Sequence, residues 1–376
     1  MGLGSMGRRH LANALADELI EVTAVCDRDA ALVDRVAAEH GVRCFHEFDA
    51  MIASGVCEAV LIATPHARHV VFAQPALEAG VHVLLEKPVA VSVEGARRLN
   101  RAYATARQRH PNLVFSAMFQ QRLMPIWQRL KALVDAGELG VLSRATWVVT
   151  DWIRSNAYYA AAGWRGTWAG EGGGVLMNQA PHNLDLLLWL TGLTPAAVTA
   201  TIGRGKWHPI ETEDDVSATI EFASVDGHPP AVGQFVTGTG EAPGINRLEL
   251  VGDRATVLAE DGKLRVRRLR ESSRHAIATG EPRMRSVAFD EKTIDFGDAT
   301  STTFADQEPF RQAVLRDFAL AIRDGRPPAI EGTDGVKSLE LANAMLLSGF
   351  EGGRRVAMPL GTGNYQRFLE AKIAQA

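Results

Sequence analysis

Across the first third of the chain, short and almost continuously apolar runs alternate with helical patterns, and few folds accommodate that order. The runs are EVTAVCD (21–27), AVLIAT (59–64), HVLLEK (82–87) and LVFSAMF (113–119). Between them Leu11, Ala14, Leu15 and Leu19 recur at helical spacing, as do Val93, Ala96, Leu99 and Tyr103, so each segment offers one apolar stripe for packing. Strands that are apolar on both faces need helices on both sides. The pattern therefore predicts an α/β fold with a doubly wound parallel sheet.

After about residue 120 the periodicity changes, which divides the chain into units 1–120 and 121–376. A helix opening at Pro125 leads to the strand LSRATWVVTD (142–151), and an aromatic, glycine-rich loop from Trp152 to Gly174 precedes the helix HNLDLLLWL (182–190). VTATIG (198–203), DVSATIEFA (215–223), AVGQFVTG (231–238) and NRLELVGD (246–253) then follow without intervening helices, and Asp261-Gly262 marks a hairpin. This predicts an α+β domain with a large, mostly antiparallel, open sheet. Its exposed apolar face would be covered by a second copy, in a homodimer or homotetramer. Two helices, about 309–323 and 334–350, close the chain on either side of GRPP.

The chain opens on Gly2-Leu3-Gly4-Ser5-Met6-Gly7, a G-x-G-x-x-G run leading into a helix. Such glycines permit a tight turn and let a pyrophosphate approach backbone N–H groups at the helix N-terminus. Asp27 stands twenty residues beyond Gly7 at the end of a strand, where a carboxylate accepts hydrogen bonds from the adenosine ribose. It would repel a 2′-phosphate, so NAD is favoured over NADP, although the adjacent Arg28 could pair with that phosphate. The strand that would feed the loop does not precede it. A gap in the sheet is expected there, with unpaired backbone groups costing about 1–3 kcal/mol each.

Composition narrows the function classes. With 46% hydrophobic and 22% charged residues and a net charge of -4, the chain is not suited to polyanions, so nucleic acid is not an expected partner. Its three cysteines, Cys26, Cys44 and Cys57, suit neither a disulfide framework nor a paired-cysteine zinc site, consistent with a reducing cytoplasm. No apolar run has the length of a signal peptide core or a membrane span.

Four segments carry a resemblance over nearly the whole chain: GLGSMGRRH (2–10), ATPHARHVVFAQPALEAGVHVLLEKPVA (63–90), WRGTWAGEGGGVLMNQAPHNLDLLLWLTG (164–192) and DFALAIRDGRPPAIEGTDGVKSLELANAMLLSG (317–349). The sequence resembles the Gfo/Idh/MocA oxidoreductases, which include glucose-fructose oxidoreductase and inositol dehydrogenases. That resemblance implies a Rossmann domain contacting NAD through Gly2, Gly4, Ser5, Met6, Gly7, Asp27, Arg28, Ala63, Thr64, Pro65, His69, Glu86 and Lys87. It also implies that Lys87 is the catalytic lysine beside the nicotinamide and that Pro88 follows a cis peptide bond. A partly desolvated lysine near a cationic ring loses preference for its ammonium form and can exchange a proton with a hydroxyl. Asn178 and His182 lie four residues apart, one helical turn, and can face one substrate. The family usually carries Asp where this chain has Asn178. An amide orients a hydroxyl without taking its proton, which leaves acid-base work to Lys87 and His182, with Asp185 as a possible orienter of the imidazole.

Aromatic residues crowd the loop before this helix, and sugar rings pack on such walls while arginines reach their hydroxyls. Tyr159, Trp164, Arg165 and Arg122 are the further candidates for binding substrate, while the remaining aromatics fit a core or an interface. Two signals are weaker. His66 and His69 in HARH lack an evident third ligand, so no metal is expected, and the basic stretch KLRVRRLRESSR (263–274) fits a solvated strand face. The function expected is NAD-dependent oxidation of a secondary hydroxyl on a sugar or cyclitol. The alternatives are an NAD-assisted glycosidase and a non-catalytic sensor of the same ligands.

Overall fold

The computed structural model describes residues 1–225, 227–297 and 307–376. Five short parallel strands lie in the N-terminal part: β1 (Ala24–Cys26), β2 (Arg43–Phe45), β3 (Ala59–Ile62), β4 (His82–Leu85) and β5 (Phe115–Ala117). The helices Ser5–Ala16 and Val93–Ala106 supply the two apolar stripes read from the sequence, except that the first ends before Leu19, and the helices Ala30–His40 and His69–Glu78 lie between the strands as well. β2 has no apolar run and was not expected.

The strands pair as two ladders, β1–β2 and β3–β4–β5. Met1 and Gly2 run between them. Gly2 N–H donates to the Cys26 carbonyl, Ala63 N–H to the Met1 carbonyl, and the Met1 amino group to the Leu61 carbonyl, each at 2.9 Å. The expected gap is thus bridged at the end where the glycine loop begins. Burial lowers the pKa of the Met1 amino group. The core divides along the same line, since Leu3, Leu11, Val25, Val33, Val36 and Ala37 cluster apart from the main core.

The C-terminal part is built on β6 (Leu142–Val149), β7 (Pro195–Arg204), β8 (Glu213–Phe222), β9 (Val232–Gly238), β10 (Asn246–Gly252), β11 (Ala255–Glu260), β12 (Lys263–Leu269), β13 (Phe289–Asp295) and β14 (Val356–Ala357). They form one sheet in the order β13-β12-β11-β10-β6-β9-β8-β7-β14, antiparallel except where β6 pairs with β9. The hairpin β11–β12 turns at Asp261 and Gly262, whose φ values of 47° and 73° suit the twist of the flanking strands. The strands from β7 to β12 follow one another without helices, as expected, and a short helix, Ser273–Thr279, then separates β12 from β13, a strand that was not expected.

The helices Pro125–Asp135, Pro181–Thr191 and Gly335–Phe350 cover one face. Trp147, fully buried on β6, packs on Trp127 with ring centroids 5.4 Å apart; truncating such a residue typically costs about 3–5 kcal/mol. The other face is not the apolar surface expected. Alternation places the large apolar residues under the helices and leaves Thr146, Ser217, Thr219, Gln234 and Glu249 outside, with Val148, Val236 and Leu258 among them.

The closing helices pack back against the N-terminal part. Arg9 and Asn13 donate to Glu308 at 2.7 and 2.6 Å, and Arg97 donates to Glu340 at 2.6 Å. Among the described residues no helix is long and apolar enough to cross a membrane.

Candidate active site

The glycine loop joins the bridging residues to the helix Ser5–Ala16. Gly2 has φ 84°, and a Cβ on Gly7 would lie 1.7 Å from the Gly2 carbonyl oxygen, so no side chain fits there. A Cβ on Gly4 would meet nothing within 4 Å, which leaves the loop backbone, with Ser5 and Met6, accessible to a ligand at the helix N-terminus. Asp27 reaches this loop: its carboxylate accepts from Leu3 N–H at 2.6 Å and from Asp29 N–H at 3.0 Å. Arg28 beside it is exposed. Ala63, Thr64 and Pro65 follow β3 on the same edge, and the buried Thr64 Oγ has no partner among the described residues. The loop geometry and this free hydroxyl fit a dinucleotide.

Glu86 and Lys87 follow β4, and the Lys87–Pro88 peptide is cis. Burial pushes the Glu86 carboxyl up, but His10, whose Nε2 lies 2.6 Å from Oε1, and the Lys87 charge together hold it down at about 2. The His69 ring sits between the carbonyls of Pro88, 2.7 Å from Nδ1, and Thr64, 2.9 Å from Nε2, and so ties the turn after β4 to the turn after β3. Lys87 Nζ donates to the Asn178 backbone carbonyl at 2.7 Å. Burial lowers its pKa against the opposing effect of Glu86 and Glu171.

Asn178 is positioned by the turn Glu171–Gly174. Gly172 there has φ 77°, and a Cβ on Gly174 would lie 1.8 Å from the Glu213 backbone oxygen. The buried Glu213 carboxylate clamps the turn by accepting from Gly174 and Leu176 N–H at 2.8 and 2.9 Å. Glu171 was not among the expected site residues, yet it is fully buried and accepts from Gly166 N–H at 2.6 Å and from the Asn178 side-chain amide. Burial raises the Glu171 pKa to about 7, against the effect of those hydrogen bonds. The one sequence signal for it was a carboxylate beside three glycines in a motif otherwise read for its histidine.

His182 is buried in the helix Pro181–Thr191, and burial together with the Lys87 charge lowers its pKa to about 3, so the ring is neutral near pH 7. Its Nε2 lies 3.4 Å from Gln120 Nε2, while Nδ1 and Gln120 Oε1 lack partners among the described residues. Asp185 does not orient it. Instead Asp185 accepts two hydrogen bonds from Arg122, at 2.6 and 2.7 Å, and Arg122 donates also to Asp334 at 3.1 Å.

The substrate candidates separate in space. Trp164 packs edge-on against His66 at 5.0 Å, and the Arg165 guanidinium stacks 4.2 Å from the Tyr158 ring while donating to the Tyr158 carbonyl at 2.9 Å. Tyr158 in turn takes a hydrogen bond from Asn178 at 3.1 Å, which joins Trp164, Arg165 and Tyr158 to the Lys87 cluster. Tyr159 faces inward onto His208, with centroids 4.8 Å apart, and Arg122 is held in its ion pairs. His66 and His69 are each engaged with backbone carbonyls, and among the described residues the groups near enough to share a metal are the exposed Asp34, Cys44 and His46.

Comparison with known proteins bears directly on this arrangement. Residues 1–111 match an oxidoreductase family model with an NAD-binding Rossmann fold, and residues 127–258 match the GFO/IDH/MocA C-terminal domain. The chain belongs to the GFO/IDH/MocA oxidoreductases. Over 229 residues, 59% of its length, it is 32% identical to 1-carboxy-3-chloro-3,4-dihydroxycyclo hexa-1,5-diene dehydrogenase of Comamonas testosteroni, and the match spans 54% of that protein. It is 22% identical over 349 residues to inositol 2-dehydrogenase of Rhizobium meliloti (strain 1021), covering 93% of this chain and 95% of that one. In structure it is similar to the WlbA dehydrogenase from Bordetella pertussis, solved with NADH and UDP-GlcNAcA, with TM-score 0.75, 25% identity and 96% of each chain covered. Within this GFO/IDH/MocA chain, the glycine loop packs on Ala63 and Thr64 after β3, and the helix it opens reaches the turn after β4 through His10 and Glu86, beside Lys87.

Proposed function

We propose that the chain is an NAD-dependent dehydrogenase that oxidises a secondary ring hydroxyl of a sugar or cyclitol. The observation carrying this reading is Lys87. Its Nζ is desolvated and anchored on the Asn178 carbonyl at 2.7 Å, at the end of β4, whose neighbour β3 leads into the Ala63–Thr64 turn packed on the glycine loop. When bound, NAD supplies the hydride acceptor. Gly2, Gly4, Ser5, Met6 and Gly7 would hold its pyrophosphate, Asp27 its ribose, and Thr64 Oγ a polar group along the same edge. Lys87 in its neutral form would take the proton of the reacting hydroxyl, and the neutral His182 would orient the substrate through a ring nitrogen. Trp164 and Arg165 offer a face and donors for the ring. The testing experiment is a screen with NAD against myo-inositol, glucose and UDP-N-acetylglucosamine, read by NADH absorbance. Net NADH formation supports the reading; cleavage of an aryl glycoside without net NADH would favour the glycosidase, and binding without turnover the sensor.

Asp27 gives a separate expectation. A 2′-phosphate beside it would lose the ribose hydrogen bond and meet a like charge, so kcat/KM with NAD should exceed that with NADP by at least about tenfold, the equivalent of about 1.4 kcal/mol. Comparable values for the two cofactors would show that Arg28 dominates. Copies of the chain are expected to associate as a dimer or tetramer through the uncovered face of the nine-stranded sheet, where Val148, Val236 and Leu258 are set among polar residues. Sedimentation at micromolar concentration checks this, and a monomer there would refute it.

A further inference from the structure

We propose that Glu171 is a positioning residue for this reaction, fixing the Asn178 amide so that its oxygen, not its nitrogen, is offered to the substrate. The inference rests on the dehydrogenase reading for its consequence, but its geometry stands on its own. Asn178 Nδ2 donates one hydrogen to Glu171 Oε1 and the other to the Tyr158 hydroxyl at 3.1 Å. Both amide hydrogens are therefore in use, and Oδ1 has no partner among the described residues. A tyrosine hydroxyl can donate or accept, so Tyr158 does not decide the orientation. Gly166 N–H and the Asn178 amide both favour the ionised form of Glu171, and in that form the carboxylate only accepts, so above its pKa of about 7 the reversed amide would set two acceptors against each other.

Glu171 is itself fixed. It is fully buried, Oε2 accepts from Gly166 N–H at 2.6 Å, and its backbone carbonyl faces His66 Nδ1 at 3.3 Å. On the far side of Asn178, the backbone carbonyl of the same residue holds Lys87 Nζ. One residue thus anchors the lysine with its main chain and presents an acceptor with its side chain. Since the reacting hydroxyl gives its proton to Lys87, Oδ1 must accept from a different hydroxyl. The substrate class that satisfies both is a polyol carrying a second, donating hydroxyl near the reacting carbon.

The polarity of the pair can be inverted. In Glu171→Gln the side-chain oxygen remains on Gly166 N–H, which turns the new amide nitrogen toward Asn178 and favours the reversed amide. In Asn178→Asp a second carboxylate meets Glu171. Each single variant should lose roughly ten- to hundredfold in kcat/KM, the effect of one mispaired buried hydrogen-bonding group. The double variant E171Q/N178D restores a donor facing an acceptor and again offers an oxygen to the substrate, so it should recover to within a few-fold of the parent protein. The test is this double-mutant cycle, measured as kcat and KM with NAD and whichever of the three screened compounds turns over fastest, and in parallel as thermal unfolding, which needs no substrate. Recovery in both supports the inference. Additive losses in unfolding, or recovery of stability without recovery of kcat/KM, would overturn it. A parent protein that oxidises nothing would refute the dehydrogenase reading instead, and the unfolding cycle would still decide the orientation of the pair.

Discussion

Lys87→Ala should lower turnover by roughly 10² to 10⁴, the usual contribution of a positioned acid-base group, while NADH still binds. The separation follows from geometry. The loop Gly2–Gly7 and Asp27 are braced by backbone hydrogen bonds that do not involve Lys87, whereas its Nζ is held on Asn178 beside the candidate substrate site. The effect should therefore appear in kcat and kcat/KM together, as for an interaction made chiefly in the transition state. A pH profile adds a sign. If the neutral amine is the base, as proposed, oxidation should speed up as pH rises through a value below the ordinary lysine range, because burial lowers that pKa. Loss of NADH binding in the variant, or turnover indifferent to it, would remove Lys87 from the chemistry.

Arg122→Ala should destabilise the fold by about 3–5 kcal/mol, the cost of leaving a buried charge without its partner. Asp185 is 3% exposed and Arg122 6%, and two hydrogen bonds join them. Burial already raises the Asp185 pKa, with Arg122 opposing it, so removing the guanidinium leaves a buried carboxylate without its hydrogen-bonded counter-ion. Replacing both partners, as Arg122→Met with Asp185→Leu, should recover most of the loss, since apolar pairs of similar volume often match buried ion pairs. Equilibrium unfolding of the two variants measures this. A loss under about 1 kcal/mol for Arg122→Ala, with weakened substrate binding, would return Arg122 to the substrate-binding role suggested by its place in the sequence.

How far the sequence could be read depended on whether each feature was local. β3 and β4 were legible because strands covered on both faces are apolar throughout, and the β11–β12 hairpin because Asp261-Gly262 tolerates positive φ. Lys87, Asn178 and His182 were singled out through the family pattern, and the fold brings Lys87 into contact with Asn178. β2 and β13 were missed because Arg43–Phe45 is largely exposed and Phe289–Asp295 is a polar edge strand. The pairing of Arg122 with Asp185 was not legible either, since the two lie 63 positions apart and no spacing rule links them. Asp185 was instead assigned to His182, its neighbour on the same helix. Glu171 was missed for a related reason. A carboxylate beside glycines reads as loop, and only the fold shows that Gly166 N–H and Asn178 enclose it.

In the proposed reaction a substrate carbon would give a hydride to the nicotinamide while Lys87 takes the hydroxyl proton. Tracing deuterium from the carbinol carbon of the fastest of the three screened compounds tests it most directly. The label is expected on C4 of the product NADH in the parent protein, and in Lys87→Ala only at the residual rate. Label returned to the released sugar without net NADH, or no transfer at all from a bound compound, would contradict the account.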